Sequence, residues 1–227
     1  MPHKLIICPL KKEVTYLLEG FSKVGWLFET QSTGKLTLYH CRSQNITVSQ
    51  GGRGKVQFAL QTQHILNHLE EVSQVICIGA GGALASHVKV GDLVIAEKTV
   101  EHDYNEKFNP SAKIPEFLSS PHLLQLASQV PMISYYNVHR GIIASGDEDI
   151  IDTQRALELF EQTQALAVAW EGSGGARACA FNKIPFLELR TITDNARDSV
   201  AESFIKNLPI CMHNAADFIQ RLLVSSK

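Results

Sequence analysis

The nine residues Gln74–Gly82, QVICIGAGG, constrain the fold more than any other stretch of the chain. Four consecutive apolar residues that run into glycines leave no polar face for solvent, so the segment reads as a central strand buried on both sides. A strand of that kind needs helices above and below it and neighbours reached by crossover connections. The flanking sequence supplies them. Lys4–Cys8 (KLIIC) reads as a first buried strand, and Phe58, Ile65 and Leu69, with Ala59 and Leu66 beside them, mark one face of a helix expected over 55–71. Lys35–Cys41 and Asn45–Gly52 alternate in the manner of antiparallel strands around the turn-forming RSQN.

Further along, LVIAE after the Gly91-Asp92 turn, GIIAS from Gly141, Leu166–Trp170 (LAVAW) and Pro185–Asp194 (PFLELRTITD) read as strands. A short helix after Pro121, another over 152–162 and a third entered through the small-residue tract after Glu171 alternate with them. Residues 105–121, with Pro110, Pro115 and Pro121, read as a long irregular excursion. The C-terminal segment is helical, with Phe218, Ile219, Leu222 and Leu223 as its apolar face and Pro209 breaking it or opening its last part. Strands alternating with helices predict an α/β chain: a three-layer α/β/α sandwich around a central mixed β-sheet, in one domain over 1–227.

Composition narrows the function. A formal net charge of -2 gives no electrostatic reason to expect nucleic acid or an anionic membrane surface. No apolar run approaches the roughly 20 residues of a membrane helix, and the opening MPHKLIICPLKKEV is too short in apolar residues for a secretory segment. Cys8, Cys41, Cys77, Cys179 and Cys211 are scattered and without a C-x-x-C pair, which speaks against a disulfide framework or structural zinc and for a reducing cytoplasm.

Several motif readings fail on spacing. In IGAGGALAS the third glycine of a dinucleotide fingerprint falls on Leu84. In GGRGKV the magnesium-holding hydroxyl of a phosphate loop is Val56. His102 and Asp103 are adjacent on a strand and face opposite ways, a poor metal pair. Neither Ser86 nor Ser145 sits in a G-x-S-x-G elbow. No metal or organic cofactor is expected.

What remains is a set of polar residues at the ends of apolar strands, where ligands bind in α/β sheets. Glu13 follows the first strand, Gly79–Gly82 end the central one, Asp147–Asp149 follow GIIASG, and Arg190 and Asp194 flank RTITD. Glu171 stands alone between Trp170 and a Gly-Ser-Gly-Gly tract. It reads either as a helix-start carboxylate, worth ~0.3–1 kcal/mol against the helix dipole, or as a ligand-facing acid where small residues let a substrate approach the backbone. For Asp194, an N-cap and a catalytic acid are compatible readings.

CPLKKEV, IGAGGALASHVKVGDLVIAE, GIIASGD and LAVAWEGSGGARACAFNKIPFLELRTITDNA occur in the order and spacing of the nucleoside phosphorylase superfamily, and the chain most resembles its methylthioadenosine/S-adenosylhomocysteine nucleosidases. The resemblance implies that Glu13 activates water, Glu171 grips the ribose hydroxyls with Trp170 beside the sugar, and Asp194 delivers a proton to the purine N7. It places Arg190 at the border of the same site, the backbone of Ile150 on the base edge, and Ala80 and Gly81 in the glycine motif near the sugar. It also implies a homodimer, with the stretch near Phe108 and Pro110 reaching toward the neighbour's pocket. The chemistry is coherent: a purine leaves poorly unless protonated, and a carboxylate on the opposite face must activate water across an oxocarbenium-like sugar.

The chain departs from that family at several positions. Ala80 replaces a hydroxyl residue, and Asp149 stands where an aromatic ring packs on adenine; a carboxylate accepts hydrogen bonds but cannot stack. Arg53 replaces an apolar residue near the 5′ substituent, which implies a polar or anionic 5′ group, or a phosphate. Lys11 and Lys12 replace acidic residues. The expected activity is hydrolysis of a 5′-modified purine nucleoside. The alternatives are phosphorolysis on the same scaffold, or a nucleoside-binding protein that has lost turnover.

Overall fold

The computed structural model describes residues 3–109 and 111–224; Pro110 lies outside them. In chain order the elements are β1 (His3–Cys8), α1 (Lys11–Ser22), β2 (Glu29–Thr33), β3 (Leu36–Cys41), β4 (Ile46–Gln50), α2 (Lys55–Leu66), β5 (Val72–Ala83) and β6 (Leu93–Glu101). They continue with β7 (Glu116–Leu118), α3 (Pro121–Ser128), β8 (Val138–Ser145), α4 (Thr153–Thr163), β9 (Ala165–Ala169), α5 (Gly172–Phe181), β10 (Phe186–Asp194) and α6 (Val200–Val224).

β5 is the central strand that its apolar run requires. Its even and odd residues serve two different cores. Ile76 and Ile78 join Ile6, Cys8, Leu187 and Leu189 against α1 and α6. Val75 and Cys77 join Leu5 and Ile7 against Phe58 and Ile65 of α2 and Cys179 of α5. Two helical layers on one mixed sheet is the expected sandwich. β1 runs parallel to β4 and β5, whereas β3 pairs antiparallel with β2 and β4.

The sheet has one feature that hydrophobic patterning does not encode. Its order is β10-β6-β8-β9-β5-β1-β4-β3-β2, and β10 also pairs with β5, so β5, β10, β6, β8 and β9 close into a ring. Small and branched side chains from all five strands, Ala83, Ile192, Val94, Ala96, Ile143 and Ala167, pack together there. The pairing sets Arg190 opposite Gly79 and Asp194 opposite Gly82, and so brings the glycine motif and the RTITD motif to one end of the sheet.

Three local expectations change. The helix expected over 55–71 ends at Leu66, although Leu69 still packs on the same core. The excursion over 105–121 contains β7, which pairs with β6. Pro209 neither breaks nor opens a helix: α6 runs through it. A proline in a helix interior removes one N–H and strands the carbonyl four residues earlier. That carbonyl belongs to Ile205, an exposed residue. The five cysteines are buried free thiols. Among the described residues, no helix is long and apolar enough to cross a membrane, and no group of three His, Cys, Asp or Glu could hold a metal ion.

Candidate active site

A pocket of about 380 Å³ opens at the strand ends where β1, β5, β9 and β10 finish. That is within the roughly 300–1,000 Å³ typical of small-molecule sites. Glu13, Glu171 and Asp194, far apart in the chain, all line it, although each is only 2–6% exposed.

Glu13 sits in the first turn of α1. Its carboxylate accepts the Leu10 N–H at 2.7 Å, half of a capping box, and the Ala80 N–H at 2.8 Å. Gly79 is required beside it, because a Cβ there would lie 2.9 Å from Glu13 Oε1 and 2.8 Å from Arg190 Nη1. Burial, together with the nearby charge of Glu171, pushes the Glu13 carboxyl up to about 7, even though both N–H donors and Arg190 act the other way. A carboxylate of that basicity suits a general base near neutral pH.

Glu171 occupies the N-cap position of α5, but its side chain makes no cap hydrogen bond there. It accepts instead from the Gly54 N–H at 3.3 Å and from Arg190 Nη1 at 3.3 Å. Burial raises its pKa and Arg190 opposes that rise. The glycines that follow do not open space for a substrate. They are absent from the pocket wall, and added Cβ atoms would strike the Glu188 carboxylate at Gly172, the Lys55 carbonyl at Gly174 and the Phe58 ring at Gly175. They let α5 pack closely on α2 and β10.

Asp194 ends β10, and α6 begins only at Val200, so it is not that helix's N-cap. Its carboxylate accepts the Ala196 N–H at 2.9 Å, an Asx turn, and the Thr193 hydroxyl at 2.8 Å. Burial raises its pKa, in the direction that an acid donor needs.

The remaining expected residues divide. Ala80, Gly81, Ile150 and Trp170 line the pocket. Arg53 and Asp149 also line it and meet each other at the mouth: the Arg53 guanidinium lies 4.3 Å from the Trp170 ring centroid, and its Nη2 is 3.8 Å from Asp149 Oδ1. Arg53 is therefore not a free cation waiting for an anion. Arg190 does not border the cavity; it is fully buried behind Glu171. Lys11 and Lys12 are exposed. Glu148, within the expected Asp147–Asp149 stretch, lines the wall, as does Phe204 of α6, which no motif marks.

A profile of the phosphorylase superfamily matches residues 4–224. The chain belongs to the phosphorylase superfamily. It is 30% identical over 228 residues to an aminodeoxyfutalosine nucleosidase of Helicobacter pylori, covering 96% of each chain. It is 33% identical over 211 residues to a 5′-methylthioadenosine/S-adenosylhomocysteine nucleosidase of Baumannia cicadellinicola, covering 89% of this chain and 90% of the relative. Among solved structures, this superfamily member superposes on a Helicobacter pylori nucleosidase mutant holding 5′-methylthioadenosine in its active site, with TM-score 0.88, 27% identity and 99% of both chains covered. It also superposes on a Helicobacter pylori futalosine hydrolase with TM-score 0.85 and 28% identity, covering 99% of this chain and 98% of that one. These relatives and neighbours are nucleosidases, that is, N-glycosyl hydrolases.

Proposed function

We propose that this chain is a single-domain nucleosidase that hydrolyses the N-glycosidic bond of a 5′-modified purine nucleoside of the methylthioadenosine, adenosylhomocysteine or aminodeoxyfutalosine kind. One observation carries water over phosphate as the nucleophile. Among the described residues lining the pocket, the cation is Arg53 at the mouth, next to Trp170 and Asp149, whereas the Glu13 carboxylate stands at the nucleophile position. A phosphate dianion there meets a carboxylate and no adjacent lining cation, whereas neutral water is not repelled.

In this reading Asp194, protonated, donates to N7 of the base as the glycosidic bond lengthens. Glu171, whose charged form Arg190 favours against the effect of burial, accepts hydrogen bonds from the ribose hydroxyls and faces the positive charge that develops on the sugar. Glu13, held by the N–H groups of Leu10 and Ala80, removes a proton from the attacking water. The Ile150 backbone borders the base, Trp170 walls the sugar, and Ala80 and Gly81 form the floor. A homodimer belongs to the same reading, supported by the family resemblance and by the full exposure of the apolar Phe108, and so does a cytoplasmic setting, supported by the five free thiols.

The product tests it. Incubation with 5′-methylthioadenosine should release free base and an unphosphorylated sugar at a rate indifferent to inorganic phosphate; sugar 1-phosphate would refute hydrolysis. At the mouth, Arg53→Ala should raise KM about 2- to 5-fold with kcat unchanged, the size of an exposed cation–π contact. Comparing nucleosides with neutral and anionic 5′ groups checks this, because a loss confined to the anionic one would show Arg53 leaving Asp149 to read charge.

A further inference from the structure

Behind the pocket wall lies a further buried acid that the reaction does not use directly. Glu188, in the middle of β10, is 0% exposed and absent from the cavity lining. One oxygen accepts the Arg190 Nε–H at 2.8 Å, and the other accepts the Thr99 hydroxyl across the sheet. Gly172 packs directly on the carboxylate, leaving no room for a Cβ. Every residue of β10 is buried, and Leu187 and Leu189 flank this position in the core. A buried ion pair is seldom more stabilising than apolar residues of similar volume, so fold stability alone does not account for a carboxylate here.

We propose that Glu188 is a positioning residue for the ribose-binding carboxylate Glu171, acting through the guanidinium of Arg190. This rests on the reading of Glu171 as the ribose ligand. Arg190 is fully buried and stands between two acids, yet its contacts are unequal: 2.8 Å to Glu188, but 3.3 Å to Glu171 and 3.3 Å to the Ala80 carbonyl. The short, charge-assisted bond anchors the guanidinium on the side away from the pocket. Glu171 then lies close to Arg190 but is not captured by it, and keeps lone pairs for two sugar hydroxyls. Without the charge of Glu188, the acid left in ion-pair contact with Arg190 among the described residues is Glu171. The guanidinium moves onto it and competes with the ribose.

The test is Glu188→Gln, which preserves shape: the amide oxygen still accepts from Arg190 Nε, and the amide nitrogen can donate to the Thr99 hydroxyl. For 5′-methylthioadenosine, KM should rise on the order of 10- to 100-fold, the range of one charge-assisted hydrogen bond, with kcat within about 3-fold. The competitive inhibition constant of the matching 2′,3′-dideoxy nucleoside should be the same for parent and variant, because it has no hydroxyls for Glu171 to hold. Glu188→Asp, which restores the charge, should recover part of the loss. A uniform loss on both ligands, a fall confined to kcat, or unchanged KM would overturn the proposal. If Glu188→Gln fails to fold, Thr99→Val, which loosens the carboxylate from its other side, gives the same comparison. Should the parent release no base from any nucleoside, calorimetric affinities for the same ligand pair still read the effect of Glu188, so the two claims fail separately.

Discussion

Asp194→Asn is expected to lower kcat on the order of 10²–10⁴-fold, the usual contribution of a positioned general acid. The substitution is nearly isosteric. The amide oxygen still accepts the Ala196 N–H that fixes the side chain, so the turn after β10 survives and nucleoside affinity changes little. What is lost is the proton. Burial raises the Asp194 pKa, the direction that favours a donor, and an amide has no proton acidic enough to replace it. Single-turnover base release together with an affinity measurement separates the two quantities. A kcat within a few-fold of the parent would remove Asp194 from the chemistry.

Glu13→Gln is expected to cost a similar factor, again on the order of 10²–10⁴, and it carries a pH signature. Burial holds the parent carboxyl near 7, so the folded protein retains this proton well above the usual range for glutamate. Only the deprotonated form can accept a proton from water. The kcat/KM of the parent should therefore carry a rising limb with its midpoint at about 7. In the Gln variant the rising limb should vanish from the residual rate. A parent profile flat from pH 5 to 8 would contradict the assignment of Glu13 as the base.

The layers and most elements were legible because burial on two faces leaves an uninterrupted apolar run, as in QVICIG, while burial on one face leaves a period, as in 55–66 and 218–223. The three acids were legible only through their motifs, since Glu13, Glu171 and Asp194 each have an ordinary local reading when taken alone. The structure separates position from role. Glu171 does start a helix, yet its carboxylate turns away to Gly54 and Arg190. The glycines after it seemed to make way for a ligand and instead accommodate α2, Lys55 and Glu188. Arg190 seemed to border the site and is buried behind it. Such facts depend on which side chain a neighbouring strand presents, and strand pairing is not written in hydrophobic spacing. The second pairing of β10 is the clearest case: nothing in FLELRTITD announces that it joins β5 as well as β6.

That double pairing has a consequence for biogenesis. β5 leaves the ribosome early, but the strand that zips along its Val75–Gly82 edge comes from near the chain's other end. Until it arrives, this central apolar strand presents unpaired backbone groups to whatever is nearby. A nascent or truncated polypeptide ending before β10 therefore exposes an adhesive edge and has no catalytic cavity, so maturation of the site awaits nearly complete synthesis.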